Sequence, residues 1–114
     1  MSIKVSLDTN ADPPVTVNPT VENVNNGNQT ITWVPAAEQP DVTFVGVALL
    51  KDQSQFGNLA VSTSPVQMSG TENNDDPGQN YPYVIMVNLD GIDYCSVLST
   101  GTTGNGGTPT IHNN

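Results

Sequence analysis

Cys95 and His112, seventeen positions apart, are the only cysteine and the only histidine of this chain. They are its one thiolate precursor and its one imidazole, the side chains that most often hold transition metals or carry protons near neutral pH. A structural zinc takes four ligands of this kind and a catalytic zinc three, and the spacing recruits no carboxylate to make up the number. Nucleophilic catalysis meets the same shortage. Neither a nucleophile elbow nor a cysteine-protease signature surrounds a candidate nucleophile, and His112 stands only two residues from the last position. Cys95 is therefore expected to be an unreactive core residue.

The carboxylates supply the remaining candidate chemistry. Asp75-Asp76 and the pair Asp90 and Asp93 offer acids in proximity, but glycoside hydrolysis needs two carboxyls opposed across a cleft at roughly 5–9 Å. Acids adjacent in a polar loop, or beside a tight turn, are expected to be solvated. The stretch NNDDPGQN presents oxygen ligands at Asn74, Asp75 and Asp76, enough for a weak calcium loop, although the spacing is not that of an EF-hand. GTTGNGG lacks the Lys-Ser/Thr ending and the strand-to-helix setting that turn a glycine loop into a phosphate cradle. No cofactor is expected, and the chain does not read as an enzyme.

Charge narrows the partners. Eleven acids face two lysines, Lys4 and Lys51, with no arginine, for a net charge of −9. Binding to nucleic acid draws its affinity from Lys and Arg on phosphates, so direct nucleic-acid binding is excluded as an expectation, and an anionic membrane surface with it. A basic protein remains as a partner for an acidic surface. One cysteine allows no intrachain disulfide, and the first residues, MSIKVSLDTNADPPV, have no apolar signal core; the expected location is the cytoplasm.

These residues must be positioned by strands. Ile3, Val5 and Leu7 alternate, ADPP turns the chain, and Val15 and Val17 resume the alternation; ENVNNGNQT reads as a turn, and TITWV places Ile31 and Trp33 on one face. VTFVGVALL is short, apolar and β-branched, with Gly46 suited to a bulge, and two weaker strands flank Pro65. The strongest local signal is YPYVIMVNL and IDYCSVL around Asp90-Gly91, whose residue types accept the positive φ of a type I′ turn. That hairpin sets Tyr83, Ile85, Val87 and Leu89 on one side and Val84, Met86 and Asn88 on the other, and its apolar character predicts a position well inside the sheet. The expected core is Trp33, Phe44, Ile85, Val87 and Cys95.

Seven to nine short strands without a helix predict a single antiparallel β-sandwich over residues 1–114. A glycine-rich connection covers 99–108, and 109–114 form a short terminal strand or tail. The order NNGNQTITW, VTFVGV, YPYVIMVNLDGIDYC resembles the cupredoxin-like proteins, with an immunoglobulin-like sandwich the neighbouring possibility. In the cupredoxin-like family a strand runs to a copper-ligating cysteine, which Cys95 matches. A histidine and usually a methionine follow within about a dozen residues, and an earlier loop gives a second histidine. Residues 96–105 contain neither residue type, and no second histidine exists. The resemblance thus implies the fold without the copper. The functional expectation is a non-catalytic acidic binding or structural module whose partner is a protein, itself included as a homo-oligomer. The alternatives are an acidic decoy that mimics nucleic acid toward a basic protein, and a hydrolase or weak calcium-binding protein.

Overall fold

The period-2 alternation of the sequence becomes ten strands in the computed structural model, which describes residues 2–25, 29–37, 42–50, 56–63, 65–73, 78–97 and 108–114. They are β1 (Ser2–Leu7), β2 (Val15–Asn18), β3 (Val21–Val24), β4 (Gln29–Pro35), β5 (Thr43–Leu49), β6 (Phe56–Thr63), β7 (Val66–Glu72), β8 (Asn80–Leu89), β9 (Ile92–Cys95) and β10 (Thr110–Asn113). The first sheet has the order β2-β1-β4-β7-β6. The second has the order β3-β10-β8-β5, with β9 also on β8. Among the described residues no helix is long and apolar enough to cross a membrane.

The sandwich is all-β, as the alternation predicts, but two of its pairings are parallel: β1 with β4 and β3 with β10. Parallel neighbours need crossover connections. Here the chain passes between sheets at Asn18-Pro19-Thr20, so that β2 lies in the first sheet and β3 in the second. The stretch read as a turn therefore begins with a strand. β3 has no alternating pattern of its own; Val21 and Val24 stand three apart, and it becomes a strand by pairing residue for residue with Thr110–Asn113.

β8 is the spine of the second sheet. Along one edge it pairs with β5; along the other it pairs first with β10, through Asn80–Pro82, and then with β9, through Met86–Leu89. Between those two partners Ser96 completes the ladder. Its N–H donates to Ile85 O at 3.1 Å and its Oγ accepts from Ile85 N–H at 3.0 Å, so this buried serine keeps the Ile85 backbone groups paired. The turn at Asp90 (φ 53°) and Gly91 (φ 84°) has the left-handed pair that a type I′ hairpin requires, with Leu89 opposite Ile92. β8 lies inside the sheet, but its hairpin partner does not: Ile92, Asp93 and the turn are exposed.

The core is knitted across the sheets by aromatic residues. Trp33 of β4 and Tyr83 of β8 are fully buried and meet edge to face, centroids 5.7 Å apart, with Trp33 Nε1–H donating to Tyr83 Oη at 3.1 Å. Phe56 of β6 meets Trp33 in the same way at 5.6 Å. Edge-to-face pairs add about 0.5–1.5 kcal/mol beyond area burial, and the hydrogen bond satisfies both polar atoms in a water-free place. Ile3, Val5, Ile31, Phe44, Ile85 and Val87 fill in around this cluster.

Candidate functional site

Two sheets give two outer faces, and their chemistry differs. In the first sheet the outward side chains are those opposite the buried parity: Lys4 beside Asn18, Ser6 beside Thr16, Thr30 beside Thr71 and Thr32 beside Ser69. This surface is mostly hydroxyl-bearing, with Val34 beside Lys4 and Ala60 beside Ser69 as apolar members. In the second sheet, Tyr81, Tyr83, Ile85 and Val87 turn inward. The alternate residues of β8 then bring Pro82, Val84 and Met86 to the outside, with Ala48 beside Val84, and Gly46 and Cys95 on either flank of Met86. The centre of this face is apolar.

The apolar centre is shaped. Val45, Gly46, Val47 and Ala48 of β5 and Val84 and Met86 of β8 line a shallow groove of about 270 Å³. Its form follows from the bulge between Phe44 and Gly46, which leaves Val45 without a partner on β8 and exposed, while glycine at 46 removes the side chain that would fill the floor. Polar residues bound the face at both ends of β8. At one end His112 Nδ1 donates to Asn80 Oδ1 at 2.6 Å. At the other, Asn88 Nδ2 donates to Asp93 Oδ1 at 2.8 Å and Asn88 Oδ1 accepts from Gly91 N–H at 3.2 Å, which staples the hairpin.

Cys95 belongs to this face and not to the core. It is half-buried opposite Met86, whereas Tyr94, opposite Val87, turns inward against the core. The reason is parity: with Leu89 opposite Ile92 across the turn, position 95 falls opposite 86, and 86 is on the outward phase of β8. That count could be made from the Asp90-Gly91 turn alone. Trp33, Phe44, Ile85 and Val87 are buried.

The two candidate metal ligands are held apart. Cys95 sits at Met86 and His112 at Asn80, six residues along one strand, a separation of about 20 Å at 3.3 Å per residue. Ligands of one ion lie within a few ångströms of each other, so these two cannot share one. Among the described residues no three His, Cys, Asp or Glu side chains are grouped as a metal site would require. Asn74, Asp75 and Asp76 lie outside the described residues, as do residues 99–107 of the glycine-rich connection.

The described acids serve the fold in several ways. Asp8 builds the turn after β1, its Oδ1 accepting from Asn10 N–H at 3.0 Å and its carbonyl accepting from Ala11 N–H at 3.0 Å. Asp90 occupies the left-handed turn position, and Asp93 is bound by Asn88. Glu22 is partly withdrawn from water, and that burial raises its pKa above the ordinary glutamate value. Glu72 is the acid that sequence reasoning missed: scattered among polar residues it reads as solvated, yet it is 1% exposed at the inner end of β7. Its only signal was parity with Met68 and Gly70. Tyr83 is held well above the ordinary tyrosine value, chiefly by burial, with the hydrogen bond from Trp33 opposing and the charge of Glu22 reinforcing the shift. No protein-family model and no curated protein sequence matches this chain.

Proposed function

We propose that the chain is a non-catalytic recognition module, working in the cytoplasm, that binds a protein partner through the outer face of its second sheet. The observation that carries this reading is the contrast between the two outer faces. A sheet face that meets only water is expected to be polar, as Lys4, Thr30, Thr32 and Ser69 make the first, whereas Val84, Met86, Ala48 and Cys95 make the second apolar around a groove. The charge of −9 and the acids at the hairpin end, Asp90 and Asp93, favour a partner segment that is apolar in the middle and basic at its flank. Nucleic acid and anionic membrane are unsuitable partners for the same charge. The likeness to cupredoxin-like and immunoglobulin-like sandwiches enters as architecture alone.

The acidic-decoy alternative gains less support. It needs carboxylates in a row, but of the described acids Glu72 is buried, Glu22 is partly withdrawn, and Asp8 and Asp93 are hydrogen-bonded within turns. Capture from lysate with wild-type bait and with two baits altered on opposite faces tests the reading. Met86→Asp should lose the partner, while Thr32→Asp, on the hydroxyl face, should keep it. Equal loss with both baits, or full retention with Met86→Asp, would refute the assignment of the face.

A further inference from the structure

The second sheet ends at an edge without the protections of β2, β3 and β9, a condition shared with β6 at the end of the first sheet, whose eight residues also lack proline and charge. β2 has four residues between Pro14 and Pro19, β3 has four with Glu22 among them, and β9 has four with Asp93. Short length, proline and charge are the devices that keep an edge from pairing with another chain. β5 runs seven residues with neither proline nor charge, and among the described residues no strand lies beyond it. Its bulge precedes the segment Gly46–Leu49, which pairs regularly with β8. Leu50 N–H donates to Pro82 O at 2.8 Å. By the alternation of an antiparallel ladder, Ala48 and Gly46 also turn their backbone groups to β8, and Val47 and Leu49 turn theirs to the open edge.

The geometry points to a second copy of this chain as the occupant of that edge: two β5 strands pair antiparallel about a twofold axis at Ala48, joining two second sheets into one. In this register Val47 of each copy faces Leu49 of the other, so the groups that point outward exchange hydrogen bonds. Leu50, 49% exposed, falls opposite Gly46 of the second copy, above which an added Cβ would meet nothing within 4 Å. The exposed side chain and the open space are thus matched by the same axis. β5 carries no charge, so the pairing sets no like charges together at the edge itself, while the −9 of each copy opposes the approach at longer range. The axis also joins the two grooves, since Gly46 and Ala48 line both the groove and the pairing edge.

The test uses the purified full chain alone, so its outcome is separate from that of partner capture. Sedimentation at about 100 µM should show a dimer, and Ala48→Lys, which sets two ammonium groups together on the axis but is exposed in the single copy, should give a monomer with an unchanged circular dichroism spectrum. Ala48 pairs with its own copy in the non-hydrogen-bonded arrangement, where Cα atoms stand about 4.5 Å apart, within disulfide range. In a Cys95→Ser background, Ala48→Cys should therefore form a covalent dimer on oxidation at least about tenfold faster than Ala60→Cys on the β6 edge. A monomeric wild type, a dimer indifferent to Ala48→Lys, or equal cross-linking at the two positions would each overturn the proposal.

Discussion

Replacing Tyr83 by phenylalanine removes one oxygen from the centre of the sandwich and leaves every carbon in place. The atom lost is the acceptor for Trp33 Nε1–H at 3.1 Å, in a site where Trp33 is 0% and Tyr83 1% exposed. No water reaches the indole there, so the cost is that of stranding a buried donor, about 1–3 kcal/mol. A domain of this size is stable by only about 5–15 kcal/mol, so a loss near 2 kcal/mol should lower the melting temperature by roughly 8 °C. Urea unfolding followed by circular dichroism measures it. Trp33→Phe should cost more, because it strands the hydroxyl and also empties indole volume. The double variant should cost less than the two single losses together, by about 1 kcal/mol, since neither polar atom is then left behind. A Tyr83→Phe variant within about 0.5 kcal/mol of wild type, or strict additivity in the double variant, would refute the claim that this bond satisfies a water-free pair.

Because burial holds the Tyr83 pKa above its ordinary value of 10.0, the unfolded chain releases that proton first as pH rises. The stabilisation is complete below pH 10 and is lost above it, by about 1.4 kcal/mol per pH unit, and the urea midpoint of wild type should fall more steeply from about pH 9 to 11 than that of Tyr83→Phe. Gly70→Ala should destabilise by about 1–3 kcal/mol, because its methyl runs into the Phe56 ring that packs on Trp33, while Gly57→Ala, with nothing within 4 Å, should be nearly neutral in the same thermal melts. Gly91→Ala, at φ +84°, should cost about 1 kcal/mol by urea titration, with the loss concentrated in hydrogen-exchange protection of β9.

What the residues reveal without the structure depends on whether their partners are near in sequence. The Asp90-Gly91 turn is a local event, and it alone orders β8, its two faces and the register of β9. Gly46 likewise marks its own bulge in an otherwise continuous apolar run. β3 is the opposite case. Val21 and Val24 do not alternate, and the strand exists because β10, almost ninety positions later, lies parallel to it. The parallel pairing of β1 with β4 is equally invisible, since strand direction is decided by how the chain crosses between sheets and not by side-chain pattern. Glu72 shows the limit at a single residue. A carboxylate at the end of a polar strand is ordinarily solvated, and only the placement of β7 between β4 and β6 buries this one. The proposed binding face lay partly in view: Val84 and Met86 fall on the outward phase once the hairpin is counted back, but the hydroxyl-bearing face that contrasts with them requires both sheets.

The proposed partner-binding face and the proposed pairing edge share Gly46 and Ala48, so an assay that reports only association would confuse them; salt separates them. Two copies of the chain each carry −9, and no opposite charge on β5 offsets their repulsion. Screening shortens the reach of that repulsion from about 30 Å at 0.01 M salt to about 8 Å at 0.15 M, so pairing through β5 should tighten as salt is added. A basic partner held against the groove with Asp90 and Asp93 nearby gains from the same field, and its binding should weaken over the same range. Sedimentation of the chain alone and titration of the captured partner, each at several salt concentrations, should therefore give slopes of opposite sign. Self-association that weakens with added salt would mean that unlike charges meet in it, and would place the contact somewhere other than the uncharged edge.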